Sequence, residues 1–368
     1  MDNFTLAIIT SIATIISALT SIVVVALQIN DKRKFKEDNP NATYPYHKSK
    51  SVLTFRHKIF GYILAFFAAI LFGIHHVLAK DLISQFGSLY TISIRNVAAG
   101  IILILFSSIL IRQNAEHMPF FSKKTAAIIV GSTGANITYG LALFILSATA
   151  ASALYKLNTI YVFAIVFLIN PVVYKSIKWY NALTASIIVA FGAILALQGD
   201  LSILPNTDNS STTGIFLMIL AGVMWAIQNV FMEKGDYVKG LNFVKISYLG
   251  KILLIASAFI FTLAVIVEKP PELSSTFAFK MLLLGLVYAG AFITTYESIN
   301  LIGALPTTAL TSLEVFFTAL LTTLATNTGL TFLVIMGSIL IVLGNTLLSE
   351  QNSILREITK RRKDNFRL

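Results

Sequence analysis

The sequence contains no cysteine, which excludes disulfide scaffolds, thiolate nucleophiles and cysteine-ligated metal centres. Charge is scarce too: only 12% of the 368 residues are Asp, Glu, Lys or Arg. A chain that is 56% hydrophobic, with a mean hydropathy of +0.79, has too little polar surface to cover a water-soluble globule. No phosphate-cradling glycine loop, HExxH, GxSxG or aspartate-rich motif occurs, so nucleotide hydrolysis and the common hydrolytic chemistries find no foothold. Neither an enzyme nor a cofactor is expected.

What the chain does have is apolar runs long enough to cross a bilayer, which takes roughly 20 residues of helix. A barrel strand needs only about ten alternating residues, so these runs specify an all-α integral membrane protein. The first run, Phe4 to Gln28, follows Asp2 and precedes Lys32, Arg33, Lys34 and Lys36. That charge order is the reverse of a signal peptide's and predicts a retained helix with its N-terminus outside. A basic linker with Pro40 and Pro45 covers residues 30–58. Ten further spans are expected, among them Ile59–Ala79, Ala151–Pro171 and Ala304–Thr326. Threading them collects most lysines and arginines on one side, including those of the 351–368 tail, and the positive-inside rule makes that side cytoplasmic. The expected location is a multi-pass place in the cell membrane, or in an organelle membrane of a eukaryote. The net charge of +11 and pI near 9.6 thus reflect topology and contact with lipid headgroups rather than nucleic acid. The expected partners are a small-molecule substrate and membrane lipids; a homodimer is compatible with the sequence.

Internal similarity divides the chain further. Gly61 to Lys80 registers with Gly214 to Glu233, placing Phe72 on Trp225 and His75/His76 on Gln228/Asn229. ALYKLNTIYVFA from Ala153 registers with ALTSLEVFFTAL from Ala309, and Ser186/Gly192 with Ser338/Gly344. The offset is about 150 residues, and each copy holds an odd number of spans, so the second inserts inverted. The expected architecture is a ten-helix bundle of two inverted five-helix repeats, 59–199 and 213–350, joined by an outer linker at 200–212, plus one additional N-terminal transmembrane helix at 1–29.

With these segments in place, the chain resembles the drug/metabolite transporter superfamily, specifically its EamA-type ten-helix members. ISIRNVAAGIILILF at Ile92–Phe106 is similar to the family's arginine-containing second helix. LEVFFTALLTTLATNTGLT at Leu313–Thr331 resembles its leucine-glutamate-proline segment, and GSILIVLGNTLL its glycine-containing last helix. Val315 stands where the family usually has proline, and Thr328 near a usual acidic residue. The resemblance implies a secondary transporter of amino acids, nucleotide sugars, sugar phosphates or related metabolites. An intramembrane lipid-modifying enzyme, or a channel or sensor without carrier activity, is the alternative.

Charge inside a bilayer costs about 2.5–3.5 kcal/mol at a helix centre, so intramembrane ionisable residues are the functional candidates. Lys156 is expected to hold an anionic group, with Tyr155 and Asn158 close by and Gln228, Asn229 and Lys251 contributing from the second half. On an unbroken helix Lys156, Thr159 and Phe163 share a face. Glu314 is expected to pair with Lys156 or Lys251, either as a structural ion pair or as a proton-coupling group with His75 or His76. Adjacent histidines point about 100° apart on a helix, so one narrow site is not expected to take both. Arg95 and Lys245 read as structural anchors near helix ends, with Glu297 as a partner for Lys245. The surplus of intramembrane cations favours an anionic or zwitterionic substrate. Tyr139, Tyr155, Tyr161, Trp225, Tyr288 and Tyr296 are candidate cavity aromatics.

Overall fold

The computed structural model describes residues 55–110, 123–169, 179–201, 210–234, 242–272, 274–302, 304–327 and 329–365. The expected N-terminal helix at 1–29, nearly all of the 30–58 linker, Thr328 and the Lys245 side chain lie outside the described residues. The described part is all helical: α1 (Phe55–Phe86), α2 (Ser88–Leu110), α3 (Lys123–Ile145), α4 (Ala148–Tyr155), α5 (Asn158–Ile169), α6 (Trp179–Leu201), α7 (Ser210–Lys234), α8 (Asn242–Val267), α9 (Ser275–Ile302), α10 (Ala304–Thr311), α11 (Glu314–Thr326) and α12 (Phe332–Asn365). Among the described residues, eight stretches are helical and apolar enough to cross a membrane, and Phe332–Leu348 is a shorter apolar helix.

The burial pattern is that of a protein solvated by lipid. Leu168 and Ile266 are 77% and 75% exposed, whereas Arg95 and Glu314 are wholly buried. Hydrocarbon outside and charge inside is stable only where water is absent from the perimeter.

Helices pair closely because small residues face one another. The main pairs are α1 with α9, α2 with α8, α3 with α7, and α6 with α12. Where α2 crosses α8, a Cβ on Gly100 would lie 2.8 Å from Gly250 O, and a Cβ on Gly250 would lie 2.8 Å from Gly100 O. At the α6–α12 crossing Gly192 and Gly337 oppose each other in the same way, with a Cβ on Gly192 2.7 Å from Gly337 O. Without a hydrophobic driving force between lipid-solvated helices, such close backbone packing supplies much of the attraction.

Two helices expected to be continuous are broken. The span expected at Ala151–Pro171 is α4 and α5 separated by a turn at Lys156 and Leu157. Lys156 N and Leu157 N donate to Ala153 O and Leu154 O, a tighter i→i−3 pattern than the α-helix. The span expected at Ala304–Thr326 is α10 and α11, broken at Ser312 and Leu313 with Leu313 N bonded to Leu310 O. Neither break contains proline or glycine, so nothing in the local sequence announces it. The face shared by Lys156, Thr159 and Phe163 presumes a helix that runs through this turn, and that presumption fails.

Helix ends differ too. α1 runs on to Phe86 and stops at Gly87, whose φ of +86° suits only glycine. The Glu268 carboxylate beyond α8 accepts from the N–H groups of Ser88, Leu89 and Tyr90 and from Ser88 Oγ at 2.8–3.1 Å, satisfying the first turn of α2. α12 continues to Asn365, through most of the segment read as a tail.

Candidate functional site

The two helix breaks meet. Lys156 caps the end of α4, Glu314 opens α11, and Lys156 Nζ lies 2.9 Å from Glu314 Oε2. A half-helix end favours the charge each residue carries, but the abutting half-helix presents the opposite pole, so the stabilisation comes mainly from the pair itself. Lys156, not Lys251, is Glu314's cation. Asn345 Nδ2 donates to Ser312 Oγ at 3.0 Å, holding the second break against α12.

From this pair a polar chain runs inward. His76 Nε2 is 3.6 Å from Glu314 Oε1, and His76 Nδ1 is 2.8 Å from the Tyr139 hydroxyl. Beside it lies a second cluster around Arg95, which is 0% exposed. Its guanidinium contacts His75 Nε2 at 3.0 Å, donates from Nε and Nη2 to Asn96 Oδ1 at 3.1 and 2.7 Å, and donates from Nη2 to Asn136 Oδ1. Its carbon sits 4.2 Å from the Tyr288 ring centroid, and the His75 ring stacks on the same tyrosine at 4.6 Å. Asn136 is itself anchored, donating to Ser132 O at 2.8 Å.

Both clusters border one small cavity, lined by His75, His76, Arg95, Ser132, Asn136, Gln228, Asn229 and an aromatic wall. Tyr139, Tyr155, Trp225, Tyr288 and Tyr296 belong to that wall, whereas Tyr161 packs against Gly222 instead. Both histidines line it, contrary to the expectation from their 100° separation. α1 is enclosed by partners on several sides, so His75 turns to Tyr288 and Arg95 while His76 turns to Tyr139 and Glu314, their ring centroids 5.3 Å apart.

The remaining candidates divide. Gln228 is buried; Asn229 borders the cavity although its side chain is largely exposed; Asn158 opens α5 just after the break and is half-buried. Lys251 is exposed and borders neither the central cavity nor the larger one described below. Arg95 is not an anchor near a helix end: it lies inside α2 at the centre of the polar network, bonded to Asn96, Asn136 and His75. Ser132 and Asn136, which no motif singled out, are polar residues within the apolar helix α3, and the rule that selected Lys156 would have selected them had it extended to uncharged groups.

A second, larger cavity of about 490 Å³ lies between α1, α4, α6, α11 and α12, lined by Lys80, Asp81, Ser147, Asp200, Thr322 and Thr326 among others. Lys80 Nζ donates to the Leu143 and Phe144 carbonyls at 2.8 and 2.9 Å, capping α3, and Ser147 Oγ donates to Asp200. Val77, next in the chain to His76, forms part of its wall. The opposite end of the bundle is tied across helices: Ser298 Oγ donates to Gly61 O at 2.9 Å and lies 2.8 Å from Thr307 Oγ1. Among the described residues no group of three His, Asp or Glu could hold a metal ion.

Comparison with known proteins agrees with this architecture. Residues 212–350 carry an EamA-like transporter family domain. A solved structure described only as the crystal structure of a protein matches with a TM-score of 0.56 at 13% identity, covering 78% of this chain and 96% of the other. No curated protein matches the sequence. The chain is a multi-pass integral membrane protein, and its residues 212–350 are similar to EamA-like transporters.

Proposed function

We propose that this protein is a secondary transporter that moves a small polar metabolite, anionic or zwitterionic, by alternating access of two inverted five-helix halves, residues 59–199 and 213–350. The observation that carries the reading is the order of helix pairs. Numbering the spans one to five in each half, α1 with α9 joins first to third, α3 with α7 joins third to first, α2 with α8 joins second to second, and α6 with α12 joins fifth to fifth. Exchanging the halves leaves this list unchanged, as a two-fold relation requires. The fourth span of each half is the broken one, and both breaks border the central polar cluster. Discontinuous helices beside a buried site at the junction of two repeats are the usual construction of an alternating-access carrier.

The positive-inside reading assigns the Lys80 end to the outside and the Ser298 end to the cytoplasm. On that assignment the larger cavity is an outer vestibule, closed from the cytoplasm by the ties among α1, α9 and α10. Glu314, paired with Lys156 and close to His76, is the group placed to couple a proton to the cycle; a static ion pair is the plainer role for it.

The test is counterflow in liposomes with pools of anionic, zwitterionic and cationic metabolites, running Lys156→Ala and Glu314→Gln beside the natural sequence. Saturable exchange of a member of the first two pools, lost in Lys156→Ala, supports the carrier. Flux that rises linearly without saturation identifies a channel, and product formed from lipid identifies an enzyme.

A further inference from the structure

Two buried cations share the interior, and they are compensated differently. Lys156 has the Glu314 carboxylate at 2.9 Å, whereas every acceptor bonded to Arg95 is neutral. A guanidinium carries five N–H donors. Four are used: one from Nε and one from Nη2 to Asn96, one from Nη2 to Asn136, and one from Nη1 to His75. The second N–H of Nη1 has no acceptor among the described residues.

The partners of Arg95 extend this surplus of donors. Arginine can only donate, so His75 Nε2 accepts and its ring proton sits on Nδ1. His75 Nδ1, buried, has no partner among the described residues, and neither has Ser132 Oγ. Arg95, His75 and Ser132 all line the central cavity. Arg95, Lys156 and Glu314 together carry one net positive charge. A buried charge without its counter-ion costs several kcal/mol, which an incoming anion would remove. Much of the rest of the wall is ring, including Phe72, Tyr155, Trp225 and Phe292, with Gln228, Asn229, Leu249 and Leu253 completing it. The cavity is small, about 60 Å³, which suits a ligand of a few heavy atoms.

We infer that Arg95, His75 and Ser132 form the anion subsite of this cavity and that its ligand is a small organic monocarboxylate with an apolar body packed among the rings. This deepens the carrier reading and rests on it. It also narrows the substrate: one net positive charge matches one negative charge, and the unpaired N–H groups of Arg95 and His75 recognise a carboxylate.

The experiment uses full-length protein carrying Trp179→Phe, which leaves Trp225 on the cavity wall as the sole reporter, since the chain has two tryptophans. Its fluorescence is titrated with acetate and propionate, with their primary amides, with the amino acids glycine and alanine, and with methyl phosphate. The expected result is saturable change with the carboxylates and binding weaker by about tenfold or more for the amides and amino acids. Ser132→Ala should weaken carboxylate binding about threefold to tenfold, and Arg95→Met should abolish it. Glu314→Gln, which raises the cluster's charge by one, should shift preference toward methyl phosphate. The inference is overturned if amides or amino acids bind as well as carboxylates, if no carboxylate gives a saturable response, or if Ser132→Ala and Arg95→Met leave the affinity unchanged. Should Arg95→Met fail to fold, Ser132→Ala and the ligand series decide alone. The assay needs no transport. Arg95-dependent carboxylate binding without exchange sinks the carrier and keeps the subsite, while exchange of other solutes does the reverse.

Discussion

Lys156 and Arg95 are both cations withdrawn from water, yet the protein treats them in opposite ways. Lys156 sits at a helix break and meets a carboxylate from the corresponding break of the other half. Arg95 sits within an intact helix, and the carboxamides, imidazole and ring faces around it disperse its charge without cancelling it. A cancelled charge is a joint between elements. An uncancelled one, bordering a cavity, is a place for a ligand. Counting intramembrane charges cannot tell the two apart, since both add one to the same tally.

The sharpest way to break this comparison is to remove each partner and read stability. Glu314→Leu strands Lys156 in the interior and should cost about 3–5 kcal/mol, seen as a large fall in the melting temperature of the detergent-solubilised protein. Adding Lys156→Met to Glu314→Leu should recover most of that loss, because the pair replaced together leaves no orphan charge. Arg95→Met removes a cation that has no counter-ion, so it should cost only the hydrogen bonds left open on Asn96, Asn136 and His75, about 1–3 kcal/mol. Equal losses from Glu314→Leu and Arg95→Met, or a double variant no better than Glu314→Leu, would show that the two regions are not differently compensated.

A smaller effect tests whether the regions act on one another. Tyr139 joins them: its hydroxyl is 2.8 Å from His76 Nδ1, and its ring centroid is 5.8 Å from the Arg95 guanidinium carbon. Tyr139→Phe keeps the ring and removes the hydroxyl, for about 1 kcal/mol. A double-mutant cycle with Glu314→Gln should return a coupling of about 0.5 kcal/mol or more, and strict additivity would mean that His76 does not transmit between the clusters.

How far the sequence discloses this arrangement varies with the kind of signal. Membrane class follows from hydropathy, and the likeness at 212–350 from motifs such as LEVFFTALLTTLATNTGLT and GSILIVLGNTLL. The Lys156–Glu314 pair is one of two that the sequence allows, Lys251 being the other cation within reach of Glu314 by depth. The breaks at Lys156 and Ser312 are not legible there, since helix interruption without proline or glycine is decided by tertiary packing, which leaves no local mark. The role of Arg95 is hidden for a related reason: its partners His75 and Asn136 come from other helices, and depth along one helix says nothing of them. His75 and His76 reach one cavity because an enclosed helix has more than one interior face, which an angular argument on an isolated helix omits.

Lys251 supplies the smallest and most discriminating prediction, because by sequence it is comparable in depth to Glu314. Its neighbour Gly250 faces α2 so closely that a Cβ there would lie 2.8 Å from Gly100 O. The following residue is turned about 100° from that contact, and Lys251 accordingly points out of the bundle. Its stem can lie along the apolar surface while the ammonium reaches toward an interface, which removes most of the burial cost. Lys251→Met should therefore change stability by less than about 0.5 kcal/mol and carboxylate affinity by less than about twofold. A large loss of binding in that variant would make charge anywhere in the membrane span sufficient to attract the ligand, and the distinction between cancelled and uncancelled cations would no longer be needed to explain the site.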